Sequence, residues 1–165
     1  MAIVDAIIME LDQEASTTRR VLERVPEDKL SWRPHPKSFS LGQLAQHIAG
    51  GQKQIAKIAA EEVHEIGIVD PGQATSRQEL LQILDESTAS AKDTLRNMDD
   101  ETILSTWTLK KNGATILSIP RIAFIRSILM NHIIHHRGQL SVYLRLLDVP
   151  LPSIYGPSAD ENPFG

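Results

Sequence analysis

Cysteine is absent from the 165-residue chain. Disulfides, thiolate metal sites and a cysteine nucleophile are thereby excluded, and a metal could be held only by histidine, carboxylate, carbonyl or water. The absence fits a reducing compartment. A basic excess is missing too: 17 Lys and Arg stand against 21 Asp and Glu, a formal net charge of -4. Neither a nucleic-acid binder nor a membrane-surface binder is expected from that balance. No apolar run approaches the roughly 20 residues of a membrane span. The start, Met1-Ala-Ile-Val-Asp5, has no basic segment ahead of its apolar stretch. No signal peptide is therefore expected, and the default address is the cytoplasm. No glycine-rich phosphate loop follows a strand, because Gly50-Gly51 falls inside a helical pattern.

What is present is the composition of an ordinary globular domain, 41% hydrophobic and 23% charged. The length predicts one domain over residues 1–165 with a sizeable core. Its dominant period is helical. A first stripe runs Val4, Ile8, Leu11, Ala15, Thr18, Leu22, Val25 and stops at Pro26. Three prolines between 26 and 39 predict an ordered loop, anchored on the bundle by Trp32. Ser40 with Gln43 forms a capping-box pattern for a second helix, about Leu41 to Val63, whose inner stripe includes Leu44, His47, Ile48, Gly51, Ile55 and Ile58. Gly67, Pro71 and Gly72 break the chain. Ser76 with Glu79 then caps a third helix on the stripe Leu80, Leu84, Thr88, Ala91, Leu95, Met98. Residues 102–118 carry β-prone Thr106–Leu109, the turn signal Asn112-Gly113 and Ala114–Leu117, which predict a short hairpin. A fourth helix from Pro120 to about Leu147 carries Ile125, Leu129, His132, His136, Leu140, Tyr143 and Leu147. Pro150 and Pro152 follow it, and the tail from about 148 to 165 reads as coil. The expected fold is all-α: a four-helix bundle with long crossover connections and a short β-hairpin between helices three and four.

Six histidines are present, at 35, 47, 64, 132, 135 and 136. His132 and His136 are spaced i,i+4, which puts both imidazoles on one helix face about 5–6 Å apart at Cβ. Both fall on the apolar stripe, as does His47 on helix two. Three inward imidazoles from two helices can hold one divalent ion and leave a coordination position open, the pattern of a catalytic site. The alternative is three satisfied core histidines. The pattern is not the zincin His-Glu-x-x-His, because Ile133 follows His132. His135 lies about 100° around the helix and points to a boundary; His35 and His64 sit outside the stripes and read as solvated. Arg137 reads either as an anion-binding residue at the site's rim or as an ion-pair partner. Gly138 in mid-helix suggests a close helix approach. Gln139 reads as a partner for an imidazole N–H or as boundary polarity, and Trp32, Trp107 and Tyr143 as pocket walls or core. Asp12 and Glu14 lie off the first helix's stripe, with no role assigned.

The segment Leu30-Ser-Trp-Arg-Pro-His-Pro-Lys-Ser-Phe-Ser-Leu-Gly-Gln-Leu-Ala-Gln-His47 resembles the second-helix entry of the DinB-like family. Asn131-His-Ile-Ile-His-His-Arg-Gly-Gln-Leu140 resembles that family's fourth-helix motif, and Tyr155-Gly-Pro-Ser-Ala-Asp-Glu161 its ending. The resemblance spans nearly the whole chain. It implies a divalent metal, Zn or Ni above others, held by His47, His132 and His136. It further implies a metal-dependent hydrolase or thiol-dependent transferase, acting through water at the open position or through an external thiol. Its partners would be a small-molecule substrate or a thiol, and a homodimer is expected, with Ile7 and Leu81 read as outer-face apolar residues. A metal- or ligand-binding stress-response protein without turnover is the alternative, and a structural bundle with packed histidines a third reading.

Overall fold

The computed structural model describes residues 2–67 and 72–164. Pro71, expected as a chain breaker, lies outside them. Four long helical segments pack around one core: α1 (Ile3–Leu22), α2 (Leu41–Ala60), α3 (Arg77–Arg96) and a last, composite helix. The composite begins as α5 (Arg121–Phe124), widens into a π-helical segment (Ile125–Met130) and continues as α6 (Asn131–Leu146). Between α3 and α5 lie α4 (Asp100–Leu104) and the strands β2 (Thr106–Lys111) and β3 (Ala114–Pro120). The chain is therefore a helical bundle with a small sheet appended.

Side-chain partners give the helix directions. Asp12 pairs with Lys92 and Arg19 with Asp85, so α1 and α3 are antiparallel. Ser87 meets Gly50 and Thr88 meets Gln52, a near-constant offset that makes α2 and α3 parallel. Glu10 meets Arg126 and Glu14 meets Arg137, so α1 runs parallel to the last helix. Two parallel neighbours cannot be joined by a tight turn, which is why the sequence between α2 and α3 is long, residues 61–76.

The local signals work through identifiable bonds. Ser40 Oγ accepts from the Gln43 N–H at 3.2 Å, and Gln43 Oε1 accepts from the Ser40 N–H at 2.9 Å, closing the expected capping box. Ser76 Oγ accepts from the Glu79 N–H at 3.1 Å, but the Glu79 carboxylate reaches Thr75 instead, accepting from its N–H and hydroxyl at 2.7 Å each. Asn112 and Gly113 have φ of 51° and 77°, the paired left-handed values of the hairpin turn that Asn-Gly announces. Trp32 packs edge-on to Tyr143 with ring centroids 5.6 Å apart, and so anchors the proline-rich loop as expected.

Several expectations are corrected. The second helix ends at Ala60, and Val63–Glu65 forms β1, which pairs in parallel with β2. Pro120 closes β3 opposite Thr106, and the helix starts one residue later. On α1 the buried positions are Val4, Ile7, Leu11, Glu14, Thr18, Val21 and Leu22. Ile8 and Ala15 are displaced to the boundary by Ile7 and Glu14. Ile7 is thus core, not outer face, and Leu81 is half-buried against the core. A Cβ on Gly138 would meet nothing within 4 Å, so no close helix approach accounts for that glycine.

The sheet is joined to the bundle by two buried side chains at the end of α2. Trp107 is fully buried, and its indole N–H donates to the Ile58 carbonyl at 3.0 Å. The buried Arg121 guanidinium donates to the carbonyls of Ala59, of Glu61 at 2.6 Å and of Thr102 at 3.1 Å. Both satisfy carbonyls at a helix C-terminus, where the dipole favours a cation.

Candidate metal centre

His47 lies two turns into α2, placed by the Ser40 cap. His132 and His136 lie on the first turns of α6. All three are half-buried, and one ligating nitrogen from each lies within 4.8 Å of the others. His47 Nε2 and His132 Nε2 are 2.9 Å apart. The ring centroids are 5.1 Å apart for His47 and His132, 4.7 Å for His47 and His136, and 4.3 Å for His132 and His136. Two nitrogens each about 2.0–2.1 Å from one ion lie roughly 3 Å apart, so the separation of the first pair suits a shared ion.

Burial, followed by repulsion from neighbouring imidazoles, holds His47 below the usual histidine range and pushes His132 down to about 4. Burial lowers His136 as well, against an opposing hydrogen bond to Gln139. The imidazoles are therefore neutral near pH 7, with lone pairs free to bind a cation. His136 Nδ1 is 2.7 Å from Gln139 Oε1. Because that oxygen only accepts, His136 carries its proton on Nδ1 and presents Nε2, the arrangement that orients a metal-binding histidine. Phe39 lies against His47, its ring tilted by 56° with centroids 5.9 Å apart. No carboxylate joins the group among the described residues.

The other histidines stand apart. His35 is exposed and accepts from the Lys37 N–H at 3.1 Å. His135 is exposed beside His136, ring to ring at 5.0 Å. His64 is not simply solvated: it sits half-buried on β1, 2.7 Å from Glu61 Oε2.

Arg137 is not a rim residue. Its side chain is 1% exposed and lies 2.7 Å from Glu14 Oε2, itself 7% exposed. It also donates to Thr18 Oγ1 and the Glu14 carbonyl at 3.2 Å each, and to the Tyr155 hydroxyl at 2.6 Å; that hydroxyl donates to Glu14 Oε2 at 2.7 Å. Glu14, given no role by the sequence, is thus the counter-ion of the most buried charge in this cluster. The signal lay in its spacing: Glu14 stands three residues after Leu11 and four before Thr18, a core position where a carboxylate requires a buried partner. Tyr155 brings the tail onto the same pair, and Glu161 ties it to Arg20 at 2.8 Å and Arg24 at 2.5 Å.

The π-helical segment explains both outcomes. Within it, Ile125, Leu129 and Met130 are buried; after it, Ile133, Arg137, Leu140 and Leu144 are. The wide turn advances the register by one residue. Arg137 thereby enters the core, and His132 and His136 sit at its boundary, facing α2.

Comparison with known proteins agrees with this architecture. A model of the DinB family matches residues 4–162. Among solved structures, a DinB-like protein from Bacillus cereus superposes with a TM-score of 0.73 at 19% identity, covering 93% of this chain and 98% of that one. A DinB-like protein from Bacillus subtilis superposes with a TM-score of 0.69 at 20% identity, covering 90% and 96%. At those identities the likeness speaks for the fold. No curated protein matches the chain.

Proposed function

We propose that this chain, which belongs to the DinB family, is a divalent-metal-binding protein with an open coordination position, working as a metal-dependent hydrolase or thiol-dependent transferase. The observation that carries the reading is the convergence of three imidazoles from two helices, without a carboxylate beside them among the described residues. His47, His132 and His136 would hold the ion. Imidazole-only ligation suits Zn and Ni. When bound, the metal supplies a Lewis acid that activates a water or an external thiol. The thiol has to be external because the chain has no cysteine. The chain's own contribution is positional: Gln139 fixes the His136 tautomer, and Phe39 packs against the His47 ring.

The partner is read as a small molecule or thiol, with the cytoplasm as compartment. No helix among the described residues is long and apolar enough to cross a membrane. A homodimer is also proposed, with Val142 and Leu146, 58% and 60% exposed on one face of α6, as the apolar residues available to it.

Cobalt substitution tests the open position. Small thiols and acetate are expected to perturb the visible spectrum of the Co-loaded protein, and His136→Ala to remove the effect. A spectrum unchanged at saturating thiol and acetate would show a closed site and defeat the enzyme reading. A response without turnover of any thiol and electrophile would favour the binding-protein alternative.

A further inference from the structure

An apolar cavity of about 330 Å³ lies between the sheet and the end of α2, with Ile58, Trp107, Leu109, Leu117, Phe124 and Ile128 in its walls. That size is within the range of small-ligand pockets. Its position relative to the histidines follows from helix geometry. On α2, His47, Gly51, Gln54 and Ile58 fall at steps of four, three and four, one continuous face. On the composite helix, Phe124, Ile128, His132 and His136 are spaced by fours and form a second face. The His47 contacts with His132 and His136 set these faces against each other. The two faces therefore run side by side from the three histidines to the cavity, a distance of about 10 Å over the seven residues from His47 to Gln54.

Gly51 lies on the α2 face between the two ends. A mid-helix glycine costs about 1 kcal/mol relative to alanine. Its neighbour Gly50 has a packing reason, since a Cβ there would press on Ile83 at 3.4 Å; a Cβ on Gly51 would meet only Ile55 of its own helix, at 3.9 Å. Packing does not demand the glycine, and its missing side chain leaves the space above it open to a ligand chain. Gln54 and His64 lie at the cavity and can orient a polar group there. Ile128 and Leu117, 39% and 41% exposed, leave apolar surface that an occupant would cover.

We propose that the substrate or ligand is amphipathic: an anionic head, carboxylate or thiolate, at the histidine centre, and an aliphatic or aromatic tail laid over Gly51 into the cavity. This rests on the metal reading for the head alone; the tail site belongs to the protein's own walls.

Two measurements test it with separate points of failure. In the Co-loaded protein, the affinity of straight-chain carboxylates from acetate to octanoate is read from the visible spectrum. It should rise about four-fold for each methylene that passes Gly51 into the cavity, the equivalent of ~0.8 kcal/mol per buried CH₂. Gly51→Leu should flatten that rise. In the metal-free protein, octanol should change the fluorescence of Trp107 saturably, and Leu117→Asp, on the exposed hairpin, should abolish the change. Acetate binding with no dependence on chain length overturns the tail site and leaves the metal reading standing. If no carboxylate perturbs the Co spectrum, the metal reading fails; the octanol titration then decides the tail site, and a silent Trp107 overturns it.

Discussion

Glu14→Ala is expected to destabilise the protein by about 3–5 kcal/mol, the range for removing one partner of a buried ion pair. The structure supports that magnitude over the fractions of a kcal/mol typical of a surface pair. Arg137 is 1% exposed. After the substitution, Thr18 Oγ1, one backbone carbonyl and the Tyr155 hydroxyl remain beside its guanidinium, all neutral. They satisfy N–H groups but leave the charge unbalanced. For a protein of this length each kcal/mol shifts Tm by roughly 2–4 °C, so the melting point should fall by roughly 6–20 °C. Urea unfolding of the metal-free protein at pH 7.5 measures the effect while the histidines stay neutral. The double variant Glu14→Leu with Arg137→Met removes both charges and should recover most of the loss, because an apolar replacement of a buried pair is often neutral or stabilising. Tyr155→Phe should cost only about 1–2 kcal/mol, since it deletes hydrogen bonds from a tail residue. A Glu14→Ala variant within 1 kcal/mol of the parent, or a double variant no better than the single, would refute the account of Arg137 as a charge that Glu14 balances.

Elemental analysis should find about one divalent ion per chain, lost in His47→Ala, His132→Ala and His136→Ala but kept in His35→Ala and His64→Ala; equal retention by all five would remove the assignment. Without metal, stability should fall with acidification below about pH 6.5. The unfolded histidines protonate near that value while His132 in the fold resists to about 4, so the unfolded state binds more protons in that window and the loss levels off beneath it. His132→Ala should make the decline shallower, and an unchanged slope would contradict the assigned burial. Light scattering at tens of micromolar should give twice the 18.3 kDa chain mass, and a monomer mass would overturn the proposed dimer.

The bundle was legible because its cues are local: helical periodicity on four segments, serine caps at 40 and 76, and Asn112-Gly113 at the hairpin. What escaped depends on partners distant in sequence. β1 is three residues long, too short for a period, and exists because Val63–Glu65 meets Thr108–Lys110. The sequence stripe brought His47, His132 and His136 to one side of the bundle. It placed the two on the last helix in the core proper, because a strict α-helical count carries no sign of the wide turn at Ile125–Met130. The same count kept Arg137 outside and Glu14 off the stripe of α1. Each is improbable in a core alone, and the two become reasonable there only as a pair contributed by different helices.

That pair has a geometric consequence for the three histidines. Arg137 is the residue next to His136, and Glu14 is fixed on α1 among Leu11, Thr18 and Val21. A slip of the last helix by one residue would turn it by about 100°. His136 or Gly138 would then face Glu14, the guanidinium would leave its buried partner, and a carboxylate 7% exposed would be left without its cation. Apolar residues alone would tolerate such a slip far better, since Ile133, Ile134, Leu140, Val142 and Leu144 offer alternative greasy contacts along α6. The charged pair penalises every register but one. That register is the one in which His132 and His136 meet His47, with Gln139 a turn further on to hold the His136 tautomer. The wide π turn sets the rotation, the ion pair locks it, and the histidines acquire their positions from interactions on a neighbouring face of their own helix.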